Sequence, residues 1–324
     1  MKPESSLVAG ARVELPGIVG WEPSAHVFEG LDLLAVRAAL ASNRPLLVRG
    51  EPGTGKTQLA RAVAQELEWA LVYKIINGLT ELQELFWHYD AVDRLGEAQV
   101  LAAAEPAIRR ESLEHRRFIT PGPLWWAFDW TGAQVQYDHW SRRKQGRPAW
   151  EGAEPPPGAV LLIDEIDKAD LDLPNGLLEA FGQQSFQIPW LEAGTVARSD
   201  LPLLTVITTN EERELPRAFL RRCLVLQLEY PDAERAEEFN GWLVKRGRIH
   251  FDSRRCHDDV LRAAAEMIRS DRVGTGYGAI RPGLAEYIDL LKVVTELHSG
   301  DTQAQRAALK EVNEFVRRKQ GKSF

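Results

Sequence analysis

Eight consecutive residues constrain this chain more than any others: Gly50-Glu-Pro-Gly-Thr-Gly-Lys-Thr57. They fit the phosphate-loop pattern Gly-x-x-x-x-Gly-Lys-Thr. Leu46, Leu47 and Val48 form a strand-type apolar run just before the loop, and a helical pattern follows from Lys56 to about Leu67. A chain with this arrangement has to deliver a buried strand into a tight turn and leave it as a helix. Gly50, Gly53 and Gly55 let the backbone turn and bring N–H groups up to phosphate oxygens. The helix that starts here points its positive end at the anion. Lys56 adds charge toward the β- and γ-phosphates, and the Thr57 hydroxyl is a hard oxygen ligand for Mg²⁺. A glycine turn that binds nothing would not need the strand, the spacing, the Lys and the Thr together.

Three later segments fit the same chemistry. Val160-Leu-Leu-Ile-Asp-Glu-Ile-Asp167 is a branched apolar run that ends in adjacent carboxylates. In doubly wound sheets that end of a strand borders the ligand crevice. Asp164 suits Mg²⁺ held through its water shell, and Glu165 suits a base that orients or deprotonates a water. Alone, the pair also resembles a solvated acidic turn. Leu203-Leu-Thr-Val-Ile-Thr-Thr-Asn210 is a second such strand, ending in an amide that can bind the attacking water or the γ-phosphate, or simply form a turn. In Leu215-Pro-Arg-Ala-Phe-Leu-Arg-Arg-Cys223, the residues Arg217, Arg221 and Arg222 cluster before the last strand. A guanidinium there can stabilise phosphoryl charge in a neighbouring subunit. It can equally complement a helix C-terminus.

Strand and helix patterns alternate up to Leu228, which predicts a parallel sheet with helices on both faces. Ser24 reads as the cap of a helix over 25–41 with Val27, Leu31, Leu34 and Ala38 on its apolar stripe. Thr80 to about Ile108 reads as mostly helical. Phe118–Pro123 reads as a turn, Thr131–Gly158 as a long polar loop, and Ser185–Trp190 as part of a hairpin. After Tyr230-Pro-Asp the pattern becomes helical. The expected organisation is a lead-in over 1–16, an α/β nucleotide-binding domain over 17–230 with an insertion at about 131–158, and a helical domain over 231–324.

Composition sets bounds on this reading. With 44% hydrophobic and 27% charged residues, the chain has the profile of a folded protein with room for about two domains. The sum of 40 basic and 47 acidic residues gives −7, which argues against a whole-surface nucleic-acid binder but leaves room for a local basic patch. Cys223 and Cys256 form no Cys-x-x-Cys pair, so the reading is of reduced thiols in a cytoplasmic protein. The longest apolar runs are strand-sized, far below the ~20 residues a membrane span needs. Residues 1–17 have no apolar segment of signal-peptide type.

Taken together, these strings resemble the AAA+ ATPases, and within them the MoxR-like branch. The resemblance rests on Gly50–Thr57, on Val160–Asp167 with Lys168-Ala-Asp170, on Thr208-Thr-Asn210, on Phe219-Leu-Arg-Arg-Cys223 and on Ala279-Ile-Arg-Pro282. Asp90-Ala-Val-Asp-Arg-Leu95 and Pro121-Gly-Pro-Leu124 resemble the stretches around that branch's second helix, so the likeness runs from about Gly17 to Leu291. It implies a five-stranded parallel sheet in the order 5-1-4-3-2 flanked by helices, a C-terminal α-helical lid, and a homo-oligomeric, hexameric ring. It implies hydrolysis of ATP with Mg²⁺ at subunit interfaces. Gly50, Glu51, Pro52, Gly53, Thr54, Gly55, Lys56, Thr57 and Gln58 would hold the phosphates, with Thr57 and Asp164 on the metal. Glu165 would be the catalytic carboxylate, Asn210 the first sensor and Arg281 the second. The arginine finger would be Arg222 or Arg221, and Ile18 and Val19 of Gly17-Ile-Val-Gly20 would cup adenine. No Asn-Lys-x-Asp guanine motif is present, which favours ATP.

One departure stands out. The insertion and the segment before it hold Trp125, Trp126, Trp130, Trp140 and Trp150, interleaved with Arg142, Arg143, Lys144 and Arg147. Such a mixture can stack on nucleic-acid bases, anchor a protein partner, or be a packed loop with a solvated basic tip. The leading expectation is an ATPase that remodels or matures a protein partner, which in MoxR-like systems often carries a von Willebrand factor A domain. The alternatives are a nucleic-acid-dependent regulator or motor and an ATP-assembled scaffold that does not hydrolyse.

Overall fold

The structure is a computed structural model that describes residues 7–18, 20–103, 105–191, 194–275 and 281–317. Its central sheet has five parallel strands: β1 Leu46–Gly50, β2 Ala70–Ile75, β3 Ala159–Asp164, β4 Leu203–Thr209 and β5 Leu224–Leu228. Their order is 5-1-4-3-2, as the resemblance implies. β3 is buried at all six positions and β4 at all seven, the signature of strands covered on both faces. That is why these segments read as continuous apolar runs and not as alternating ones. Ile207 lies beside both Leu47 of β1 and Ile163 of β3, so the three strands run in step and end on the same edge.

The flanking helices are α1 Gly30–Ser42, α2 Lys56–Leu67, α3 Asp172–Gln183 and α4 Arg217–Arg222. Then come α5 Ala236–His250, α6 Asp258–Gly274, α7 Leu284–Leu297 and α8 Thr302–Arg317. The described residues fall into two compact units. One comprises residues up to 9, 29–49 and 59–226; the other comprises 10–28, 50–58 and the chain from 227 onward. The first is built around the sheet, with Leu47, Leu161, Ile163, Ile207, Trp126 and Phe219 in its core. The second is helical and buries Phe239, Leu243, Leu261, Ala264, Tyr287 and Leu290. It also contains an antiparallel ribbon that pairs Arg12–Leu15 with Ser24–Val27.

That ribbon corrects the reading of Ser24 as a helix cap. Ser24–Val27 is a strand, and α1 starts at Gly30 behind Glu29, whose backbone N–H donates to Asp32 Oδ2 at 3.1 Å. α1 buries Leu33, Val36 and Ala39, while Leu31 is 73% and Leu34 64% exposed. The apolar row of the sequence was in the right helix but on the wrong face. Thr80–Ile108 is broken in the same way. Trp87–Tyr89 forms a short strand against Ile119–Pro121, a segment expected to be a turn. Cross-strand pairing between residues far apart in the chain overrides local helical spacing. The supposed loop from Thr131 is helical at first, over Trp130–Val135 and then the π-helical turn Gln136–Trp140.

Candidate functional site

The sheet edge at which β1, β3 and β4 end carries chemistry on each of the three strands. β3 delivers Asp164, which is 6% exposed, followed by Glu165 in a left-handed backbone conformation (φ 61°). The neighbouring strand β4 supplies Thr208, which is fully buried. Its hydroxyl donates to Asp164 Oδ1 at 2.5 Å and accepts from the backbone N–H of Glu165 at 2.9 Å. One side chain therefore fixes both acids. Asn210, just past the end of β4, donates from Nδ2 to Glu165 Oε1 at 3.3 Å. The other oxygen of Glu165 receives Lys168 Nζ at 2.6 Å, and this hydrogen bond holds the Lys168 pKa above its ordinary value. Asp167 steadies the far side by accepting the backbone N–H groups of Asn210 and Glu212 at 3.2 and 2.9 Å. The structure brings Asp164, Glu165 and Asn210 into one cluster. Thr208, Asp167 and Lys168 complete it, and the sequence reading gave them no role, although all three lie inside the strings it singled out.

β1 leads straight into the phosphate loop. Gly50 sits at φ +150° with its Cα against the carbonyl of Leu228, where a Cβ would collide. Gly53 sits at φ +80°, and a Cβ there would lie 2.9 Å from Ala285 Cβ. These two positions demand glycine through both backbone angle and space. Lys56, 7% exposed, folds back over the loop and donates to the carbonyls of Gly50 and Glu51 at 2.8 and 2.9 Å. Thr54 donates to the Glu51 carbonyl at 2.9 Å. The loop is a closed turn around the first residue of α2, the arrangement that presents backbone N–H groups and a cation to an anion. On the helical side, Glu51 receives Arg272 of α6 at 2.7 Å, and Pro52 receives the Tyr230 hydroxyl at 3.1 Å. Neither Arg272 nor Tyr230 was singled out from the sequence. The signal was present for Arg272, which stands on the row Val260, Ala264, Ile268, Arg272 at spacing four, a lone charge on an apolar stripe.

Four segments carry the remaining site residues. Arg221 and Arg222 are exposed at the end of α4. Their carbonyls and that of Cys223 accept three hydrogen bonds from Arg44, at 2.6, 3.1 and 3.0 Å. Arg281 is exposed, three residues before α7. Ile18 pairs with Trp21 in an isolated bridge, and Gln58 is half-buried in the first turn of α2. Val19 lies outside the described residues. As for the metal, the donors offered by Thr57 and Asp164 are a hydroxyl and a carboxylate, the hard oxygens that suit Mg²⁺ shared with phosphates. Among the described residues no group of three or more His, Cys, Asp or Glu is placed to hold a metal by itself.

Of the three readings of the Trp- and Arg-containing stretch, the packed loop with a solvated basic tip describes it best. Trp125, Trp126 and Trp130 are 5%, 0% and 1% exposed and belong to the core. Arg142 pairs with Glu97 at 2.5 Å, Arg143 with Asp90 at 3.0 Å, and Arg147 with Glu154 at 3.1 Å. Lys144 donates to the carbonyls of Tyr137 and Asp138. Trp140 and Trp150, inside the insertion itself, are half-buried, and the Arg116 guanidinium lies 4.5 Å from the Trp140 ring.

Comparison with known proteins adds a family. Residues 45–223, more than half of the chain, match the family described as AAA domain (dynein-related subfamily). The comparison with curated proteins found no match. Among solved structures, the Thermotoga maritima RuvB Holliday junction branch migration motor aligns at 18% identity over 88% of this chain and 66% of its own, with a TM-score of 0.40. A mutant of the same Thermotoga maritima protein aligns at 18% identity over 87% and 67%, with a TM-score of 0.42. This chain thus spans about two thirds of the length of those proteins, and a likeness at that level carries no functional weight.

Proposed function

Since the chain belongs to the dynein-related subfamily of AAA domains, we propose that it is a Mg²⁺-dependent ATPase of MoxR-like type, working as a homo-oligomeric ring on a protein partner. The observation that carries this reading is the Asp164–Thr208–Glu165–Asn210 cluster at the sheet edge where the strand bearing the phosphate loop also ends. A site that only bound nucleotide would have no need of a carboxylate tethered to an amide. In this reading the loop from Gly50 to Gln58 holds the triphosphate, with Lys56 leaving its own carbonyls for the β- and γ-oxygens. Thr57 and Asp164 would hold Mg²⁺, which supplies charge neutralisation on the phosphates. Glu165 takes the proton of the attacking water, and Asn210, already within reach of Glu165, orients the same water. Lys168 holds the carboxylate in place through their ion pair. Arg222 or Arg221 of a neighbouring copy stabilises the charge that spreads over the transferred phosphoryl group. The adenine role of Ile18 and the sensor role of Arg281 follow the MoxR-like resemblance.

The decisive variant is Glu165→Gln. We expect it to bind ATP about as tightly as the parent and to release phosphate ~10²-fold more slowly or worse, the range for loss of a general base. Undiminished phosphate release would remove Glu165 from this role. The same variant held in ATP should accumulate as a ring, read by sedimentation velocity. It should also retain its protein partner in a pulldown; a von Willebrand factor A domain protein is the partner to try first. A scaffold that never hydrolyses would show no phosphate release from the parent in a single turnover.

A further inference from the structure

The phosphate loop carries a negative charge of its own. Glu51 is its second residue, and its backbone carbonyl is one of the two oxygens that hold Lys56. A carboxylate there repels an incoming polyphosphate. The helical unit answers it with a buried cation. Arg272 of α6 is 7% exposed and donates from Nη2 to both carboxylate oxygens of Glu51, at 2.7 and 2.8 Å. Its Nη1 donates to the Pro282 carbonyl at 3.1 Å, and its guanidinium lies over the Tyr230 ring at 4.5 Å. Burying a guanidinium on an apolar helix row is unfavourable unless it is paired. The row keeps it because the partner is the loop.

Tyr230 completes the connection. Its hydroxyl donates to the Pro52 carbonyl and accepts from the N–H of Leu284, the first residue of α7, both at 3.1 Å. Burial pushes its pKa up to about 12, so the phenol keeps the proton it donates. Gly53 is the close-approach point, where a Cβ would press on Ala285 and on the Tyr230 hydroxyl. The loop, Arg272, Tyr230 and the start of α7 form one hydrogen-bonded body.

Building on the ATPase reading, we infer that Arg272 is a positioning residue of the nucleotide site: it neutralises Glu51, and without it the loop rejects nucleotides in proportion to their phosphate charge. The ligand class is the nucleoside di- and triphosphate, and the effect grows from the first to the second. Arg272 acts through Glu51 and the loop, not by touching the reacting atoms, so it governs KM much more than kcat.

The test measures binding of ATP and ADP by calorimetry to the full chain in Mg²⁺, with thermal melts to confirm folding. Arg272→Met should weaken ATP roughly ten-fold or more, ADP distinctly less, and raise KM with kcat little changed, as expected for an uncompensated charge near the phosphates. Adding Glu51→Gln to that variant removes the repulsion and should recover most of the ATP affinity. Arg272→Lys keeps the charge and should hold the ATP-to-ADP affinity ratio within about two-fold of the parent; it also serves if the Met variant does not fold. Equal losses for ATP and ADP, or a double variant no tighter than Arg272→Met alone, overturns the inference. Lys56→Ala is the separate control. If it binds ATP like the parent, the underlying site assignment fails, whatever Arg272 does.

Discussion

Thr208 shows how much rests on a single hydroxyl. It gives a hydrogen to Asp164 Oδ1 and takes one from the N–H of Glu165, and it is fully buried. Thr208→Val keeps the shape and removes one partner from each acid. Losing hydrogen bonds at a buried site costs about 1–3 kcal/mol. We expect a lower melting temperature together with slower phosphate release, and recovery of both in Thr208→Ser. A Thr208→Val protein with parental turnover would show that the two acids hold their places unaided. The sequence made Asp164, Glu165 and Asn210 legible because each stands at the end of an apolar run beside a phosphate loop. Thr208 was not legible. A Thr inside a buried strand looks like any β-branched residue until its neighbour on the next strand is known.

Among the elements, α4 is six residues long and needs outside support, since an isolated helix of that length is not stable in water. Arg44 supplies it by donating to the carbonyls of Arg221, Arg222 and Cys223. Those carbonyls form the negative end of the helix, so a cation there is stabilising twice over. Arg221 and Arg222 also line a cavity of about 320 Å³ together with Arg44 and Arg198. We expect Arg44→Met to destabilise by about 1–2 kcal/mol and to depress turnover of the assembled protein while leaving ATP affinity alone. A loss of affinity equal to the loss of turnover would place its effect elsewhere. Elements were readable where one segment decides its own state, as in β1, β3, β4 and β5. They were misread where a distant partner decides it. Ser24–Val27 and Trp87–Tyr89 became strands because Arg12–Leu15 and Ile119–Pro121 lie beside them. The Trp-rich stretch stayed open between a binding surface and a packed loop with a basic tip, because its basic residues interleave with the rings in sequence. In space Trp125, Trp126 and Trp130 are buried, Trp140 and Trp150 are half-buried, and Arg143, Arg142 and Arg147 meet Asp90, Glu97 and Glu154.

For the molecule as a whole, buried titratable groups bound the pH range of stability. Burial raises Cys223 from 9.0 to about 12, Cys256 from 9.0 to about 11 and Tyr230 from 10.0 to about 12. Each is neutral when protonated, so the stability they give is fully present below about pH 9 and is lost as the pH rises through their folded values. His250 and His115 move the other way. Burial lowers both below 6.5, so their contribution is present above that value and is lost on acidification. The melting temperature should be level from about pH 7 to 9 and fall on either side, with His250→Gln softening the acid limb. An acid limb unchanged by that substitution would clear His250 of the effect. Both cysteines should resist alkylation at neutral pH, because the thiolate is the reactive form and neither is accessible. Among the described residues no helix is long and apolar enough to cross a membrane.

β1 joins two ends of the candidate site through one short strand. This five-residue strand opens into the nucleotide loop at Gly50 and begins two residues after Arg44, the clamp on Arg221 and Arg222. It is buried between β5 and β4, too tightly laced to stretch. A push at one tip therefore arrives at the other as a rigid shift. If copies of this chain form the ring proposed above, such a strand would tie the loop of one protomer to the arginines it offers the next.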